Sequence, residues 1–198
     1  MSKLELPHVG RNKETAKKGL GYLITERKIR DAFSYIIDKF AYIDEHGNAV
    51  FICRDVNGEP VGAEIESTGF KCMAKGSNKN AGAFYMVIGK PKTFILTKSA
   101  IDVISYKSLK NPENAIIAST AGMPHLTQFN EDVIKYGIPS VKIAYDNDVA
   151  GISNMEALKA DIEKKYPNLN VEIEMSKAKD WNEDLQLQEI KKTQMREL

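Results

Sequence analysis

Hydrophobic and polar positions along the chain change rhythm twice. From Asn12 to about Lys39, apolar residues recur at spacings of three and four: first Ala16, Leu20, Leu23 and Ile24, then Ala32, Phe33, Ile36, Ile37 and Phe40. That period predicts two helices, each with one apolar face. The rhythm then shortens. Segments 40–44, 48–54 and 60–66 read as three short strands, separated by the turn-forming stretches Glu45-His-Gly-Asn48 and Asp55-Val-Asn-Gly58. An antiparallel meander preceded by helices is the expected outcome, followed by a Gly-, Asn- and Lys-rich loop over 74–82.

Beyond that loop, strand-type and helix-type segments alternate. Strands are predicted over 93–97, 115–119, 140–145 and 170–175, with helices ending near Leu109, around 128–136 and over about 150–165. Strands separated by helical patterns of about 10–15 residues imply right-handed crossovers and a mainly parallel sheet. Such sheets place their sites at the carboxyl ends of the strands. The expected fold is therefore α/β, a doubly wound and mainly parallel sheet over 91–180. A small α+β subdomain over 1–90 precedes it, and a helical tail over 181–198 follows.

Composition narrows the function classes. Apolar residues make up 42% of the 198 and charged residues 28%, values ordinary for a soluble globular protein. No stretch approaches a membrane span, and the opening residues lack an apolar signal core, so a cytoplasmic protein without a membrane partner is expected. Cys53 and Cys72 are the only cysteines and form no Cys-x-x-Cys pair, which excludes a disulfide framework or a zinc ribbon within the chain. Gly-x-Ser-x-Gly, Walker A and Gly-x-Gly-x-x-Gly patterns are absent, against hydrolase, P-loop and dinucleotide readings. The net charge of +1 conceals an asymmetry: residues 1–92 carry 15 Lys+Arg against 11 Asp+Glu, and the rest carry 13 against 16. A basic front half and an acidic back half suit a phosphate-polymer surface and a cation site, although a solvated lysine-rich loop has the same composition.

The most informative run is Asp146-Asn-Asp148-Val-Ala-Gly151, directly after the third strand of the second half. If strand geometry persists one step, the two carboxylates project to the same side. At about 4 Å they repel by roughly 4 kcal/mol at an effective dielectric of 20, a penalty that a hard cation such as Mg²⁺ or Mn²⁺ relieves. The same residues also suit an Asx turn in which Asp148 caps the next helix. Three further polar clusters end or follow the other strands: Thr97-Lys98-Ser99-Ala-Ile-Asp102, Ala118-Ser119-Thr120-Ala-Gly122 and Lys179-Asp180-Trp181-Asn182-Glu183-Asp184.

Together these clusters resemble the Toprim domain shared by primases, topoisomerases and some nucleases. There the first strand ends in a glutamate, with an aspartate four residues on in the primase branch, and a later strand ends in Asp-x-Asp. Asp102, Asp146, Asp148 and Gly151 match that pattern, and Lys179-Asp180-Trp181-Asn182 is similar to the ending of primase-like Toprim proteins of mobile elements. In the first half, Phe51-Ile-Cys-Arg54-Asp55-Val-Asn-Gly58-Glu-Pro-Val-Gly62 resembles the hairpin of bacterial and plasmid-type DNA primase cores, and Lys75-Gly-Ser-Asn-Lys79 their basic loop. The resemblance implies a magnesium- or manganese-dependent nucleotidyltransferase core with Asp102, Asp146, Asp148 and Asp180 as metal ligands.

It also implies partners: single-stranded DNA or an RNA–DNA primer/template, together with replication, plasmid or phage proteins. Arg54, Lys71, Lys75 and Lys79 are the implied nucleic-acid contacts. Trp181 is a candidate to stack on a base, with core packing as the alternative. One departure changes the chemistry. The glutamate position, assigned general acid/base work in the family, is Lys98. A protonated lysine neither ligates a metal nor accepts a proton. The first-strand carboxylate with Asp102, Asp146 and Asp148 would carry −4; with Lys98 in place the set carries −2. The expectation is a catalytically degenerate relative with the Lys98 ammonium among the aspartates, weakening or replacing the metal. An active primase core and a Toprim nuclease are the alternatives.

Overall fold

The structure, a computed structural model, describes residues 3–196. It divides into two compact units, Met1–Phe84 and Tyr85–Leu198.

In the first unit, α1 (Lys13–Gly21) starts at Asn12, whose side chain accepts the Thr15 N–H at 2.8 Å. It runs directly into a π-helical turn, Tyr22–Glu26, and α2 (Ala32–Ile37) follows. Four antiparallel strands come next and pair in chain order: β1 (Ala41–Ile43), β2 (Ala49–Arg54), β3 (Pro60–Ser67) and β4 (Phe70–Met73). One sheet face packs Val50, Ala63, Ile65 and Ala74 against Leu4, Leu6 and Tyr42. On the other, Phe51 meets Phe84 edge-to-face at 5.3 Å, and the carboxylates of Glu64 and Glu66 are buried. Glu66 accepts a hydrogen bond from the Tyr22 hydroxyl and lies 3.0 Å from the Lys71 ammonium, so its charge enters the core with partners.

The second helical run buries only part of its predicted face. Phe33 and Ile37 are 59% and 62% exposed, while Ala32 and Tyr35 are buried. The π-turn inserts an extra residue per turn and Lys28 adopts a left-handed φ of 58°, so helical register is not carried from α1 to α2. β4 also lies outside the expected strands; its residues are mostly exposed and lack alternation.

The second unit is a five-stranded sheet of β5 (Tyr85–Ile88), β6 (Thr93–Thr97), β7 (Ala115–Ser119), β8 (Ser140–Ile143) and β9 (Asn170–Ile173), ordered β5-β7-β6-β8-β9. All neighbours are parallel except β5, which runs antiparallel to β7. Its helices are α3 (Ala100–Lys110), α4 (Gln128–Lys135), α5 (Val149–Lys165) and α6 (Trp181–Gln194). Phe94, Ile95 and Leu96 of central β6 are all buried, as a strand covered on both faces requires.

Two boundaries differ from the sequence expectation. The division falls at 84/85 rather than 90/91, because Tyr85–Ile88 hydrogen-bonds to β7 as an edge strand. The predicted tail is no separate element: α6 belongs to the second unit, where Asn182 donates to Ser105 Oγ of α3 at 3.0 Å and Trp181 meets Tyr106 edge-to-face at 4.8 Å. Residues 197–198 of that tail lie outside the described residues. Among the described residues no helix is long and apolar enough to cross a membrane.

Candidate functional site at the carboxyl ends of the strands

The polar clusters that end β6, β7 and β8 are held together by backbone and capping bonds. Ser99, one residue past Lys98, caps α3: its Oγ accepts the Asp102 N–H at 3.2 Å and donates to Asp102 Oδ2 at 2.6 Å. This reciprocal cap folds the Asp102 carboxylate back onto its own helix start and leaves the residue 5% exposed. The loop after β7 grips the backbone of Lys98. Gly122 donates its N–H to the Lys98 carbonyl at 3.1 Å, and Ser119 Oγ reaches the same oxygen at 3.4 Å. The grip needs two successive left-handed residues, Ala121 (φ 48°) and Gly122 (φ 76°), of which only the glycine adopts that region without strain.

After β8 the chain continues the parallel pairing for one more residue, with Ala144 N–H donating to Leu96 O at 2.8 Å, and then reaches the Asp-x-Asp turn. Asn147 ties this turn to the segment leading into α6, through its N–H to Lys179 O (2.6 Å) and its side chain to Ser176 O (2.9 Å). Asp148 is the N-cap of α5, accepting the Gly151 N–H at 2.7 Å. A Cβ at residue 151 would lie 2.0 Å from the Asp146 carbonyl oxygen, which explains the glycine three residues beyond Asp148. Asp180 caps α6 by accepting the Glu183 N–H at 2.8 Å.

At the centre, Lys98 Nζ lies 2.5 Å from Asp146 Oδ2. The Asp146 side chain is 11% exposed and that of Lys98 46%. Burial works against the Lys98 charge, but the hydrogen bond and charge of Asp146, followed by the charges of Asp148 and Asp102, outweigh it and hold the lysine pKa above its ordinary value. Lys98 is therefore a cation at neutral pH and is fixed as one.

This arrangement does not fit the predicted divalent metal. Asp146 is occupied by an ammonium, Asp102 accepts from the Ser99 hydroxyl, and Asp148 and Asp180 each cap a helix. Among the described residues no three carboxylate, imidazole or thiolate side chains converge as a metal site. Lys98 and Asp146 come into contact and Asp148 and Asp102 lie within electrostatic reach, whereas Asp180 holds the neighbouring helix start.

The predicted nucleic-acid residues have local partners. Arg54 Nη1 donates to Gly58 O at 2.9 Å and closes the β2–β3 turn. Lys71 is paired with Glu66, and Lys75 with Glu5 at 3.0 Å; Lys79 is half-buried. Trp181 is 2% exposed, donates its indole N–H to Ala144 O at 2.8 Å, and has the Lys110 ammonium 5.3 Å from its ring. That burial fits packing and offers no ring face to a base, because the indole pins the end of β8 to α6. Ser99 was not singled out from the sequence, although Ser99-x-x-Asp102 before an apolar run is a capping-box pattern. Also unforeseen was Glu174, which receives hydrogen bonds from Tyr106 (2.7 Å) and Lys142 (3.1 Å) and pairs with Lys110 (2.7 Å).

Residues 95–185 match a family model described as Toprim-like, and residues 21–90 match one described as a protein of unknown function (DUF3991). No curated protein matches the chain. The fold is similar to the primase fragment of the bacteriophage T7 primase-helicase protein, with a TM-score of 0.51 and 16% identity over 75% of this chain and 62% of that one. It is similar to a DNA primase domain from Pseudomonas aeruginosa, with a TM-score of 0.54 and 13% identity over 71% of this chain and 47% of that one. A third match is the DnaG primase catalytic domain bound to single-stranded DNA, with a TM-score of 0.53 and 12% identity over 94% and 68%. The chain thus spans less than two thirds of the first two structures, and at these identities the likeness establishes the fold.

Proposed function

Because residues 95–185 form a Toprim-like domain within a fold shared by DNA primase catalytic cores, we propose that this is a primase-like cytoplasmic protein that binds single-stranded DNA without synthesising primers. The observation that carries the reading is the Lys98 ammonium on Asp146. Where a carboxylate would take a proton or help gather cations, the chain holds a protonated amine, which does neither. Nucleotidyl transfer loses its general acid/base and its cation site at one position. The binding surface is the basic set Arg54, Lys71, Lys75 and Lys79 of the first unit. A solved neighbour bound to single-stranded DNA supports this choice of ligand. An RNA–DNA primer/template is a second ligand of the same chemistry, and replication, plasmid or phage proteins are the corresponding partners.

One observation favours a second reading. The Lys98 side chain is 46% exposed, so its flexible stem has solvent to turn into. Asp146 would then be free for Mg²⁺ or Mn²⁺ with its neighbouring aspartates, and the protein would be an active nucleotidyltransferase core. A Toprim nuclease would need the same release and draws no support from the first unit. Primer synthesis on single-stranded template with nucleotides and Mg²⁺ or Mn²⁺ separates these readings. Template binding that weakens with salt, and no product, are expected of the wild type. Product that disappears in Asp146→Asn establishes the active core instead, and salt-insensitive or absent binding overturns the nucleic-acid reading.

A further inference from the structure

We propose that the outer face of α6 is a docking groove for an acidic amphipathic helix of a partner protein. This helix is apolar on two sides. Trp181 and Leu185 are buried, while Leu187 and Ile190 remain 47% and 45% exposed. Leu187, with Leu109 and the half-exposed Met175, walls a groove of about 470 Å³ lying wholly within the second unit. Besides Leu187, the groove takes Trp181, Asp184, Gln188 and Lys191 from α6. Their spacing of three, four and three is one helical face, so the groove follows the α6 axis for roughly 15 Å. That length suits a second helix offering apolar side chains at i, i+4 and i+7.

Charge selects the occupant. Three lysines border the groove (Lys110, Lys177 and Lys191) against one acid, Asp184. Both Asp184 oxygens are used, accepting the N–H groups of Lys177 and Ala178 at 2.8 Å each. Lys110 is held by Glu174, but Lys177 and Lys191 have no acidic partner among the described residues. An apolar floor with two unneutralised ammoniums on its rim is complementary to Leu- or Ile-type anchors flanked by Asp or Glu. Nucleic acid fits less well, because the one aromatic residue lining the groove, Trp181, is buried and offers no face for stacking.

The test uses the full chain and a displayed library of helical peptides that share apolar anchors at i, i+4 and i+7. Flanking positions vary among Glu, Gln and Lys. Selected peptides are then titrated by anisotropy and by emission of Trp181, the single tryptophan. Selection should enrich Glu at the flanks. Affinity should fall at least tenfold in Leu187→Lys, an exposed site whose folding is checked by melting. Lys177→Glu with Lys191→Glu should reverse the preference toward Lys-flanked peptides. Indifference to flanking charge, binding unaffected by Leu187→Lys, or recovery of no peptide would each overturn the proposal. So would concentration-dependent dimerisation abolished by Leu187→Lys, which would assign the groove to a second copy of the chain.

Discussion

Lys98 and Asp146 form an ion pair of 2.5 Å between residues that end adjacent parallel strands, so the strand-end cluster supplies its own cation. The pair is half-open to solvent on the lysine side, and its direct contribution to stability is small, about 1 kcal/mol or less. Its larger effect is on what else binds there. Replacing Lys98 with Glu sets two carboxylates against each other, which costs roughly 4 kcal/mol at about 4 Å and an effective dielectric of 20 unless an ion intervenes. Wild-type melting should therefore be insensitive to Mg²⁺, while Lys98→Glu should melt lower and regain stability as Mg²⁺ is added. Equal responses in both proteins, by scanning or titration calorimetry, would refute the tethered-cation reading.

Asp148 and Asp180 give a different signature, because each works as a cap. Asp148→Ala and Asp180→Ala should each cost about 1 kcal/mol, and the Asn variants should keep most of that stability, since an amide oxygen caps as well as a carboxylate. Denaturant titration measures the difference. Loss on substitution by Asn equal to that by Ala would show that charge, rather than the cap, is what the fold uses.

Gly151 is fixed by the Asp146 carbonyl rather than by its own dihedral angles. Gly151→Ala places a methyl where the backbone oxygen lies and should destabilise by about 1–3 kcal/mol, in the range of overpacked sites. The same variant should disturb the Lys98–Asp146 contact, visible as a shift of the Asp146 amide resonance.

Glu174 predicts an acid-sensitive step. Burial pushes its carboxyl up, but the hydrogen bonds from Lys110, Tyr106 and Lys142 outweigh it and hold the pKa at about 2, against an ordinary 4.5. A folded pKa below the unfolded one gives stability that is present above about 4.5 and is lost as pH falls through about 2. Solvent screens the two lysines, so the gain is on the order of 1–2 kcal/mol. Glu174→Gln should flatten the stability curve between those pH values, and an unchanged curve would show that another group carries the acid sensitivity.

On the first unit, Glu5 pairs with Lys75 and would compete with a phosphate brought to it. The pair is exposed on both sides, so removing it should barely alter melting. Glu5→Gln should strengthen single-stranded DNA binding, and Lys75→Gln should weaken it and reduce the logarithmic salt slope by about 1. Unchanged affinity in both variants would remove Lys75 from the binding surface.

What the sequence disclosed follows from which signals are local. The alternation of strands and helices over 93–173 made the parallel sheet legible, and the polar clusters at strand ends placed Lys98, Asp102, Asp146 and Asp148 at one rim. Periodicity failed where it was interrupted. The π-turn and the left-handed Lys28 turned Phe33 and Ile37 outward, and β4, short and mostly exposed, left no alternating trace. β5 is four residues long and pairs with a strand about thirty positions away, so nothing local distinguishes it from a loop. At the site, residue type alone could not decide between ligand and cap for Asp148. The Gly151 N–H at 2.7 Å shows the cap, which engages one carboxylate oxygen.

That capping bond bears on how such motifs are understood. An aspartate that starts a helix is retained by folding whatever becomes of the chemistry beside it, and the glycine after it is retained by the oxygen it must clear. Asp148 and Gly151 of the Asp-x-Asp-x-x-Gly signature are therefore architectural fixtures, needed by the fold whatever chemistry runs beside them. The side chain of Lys98, ending the neighbouring strand, caps no helix, so what stands there is governed by its pairing with Asp146.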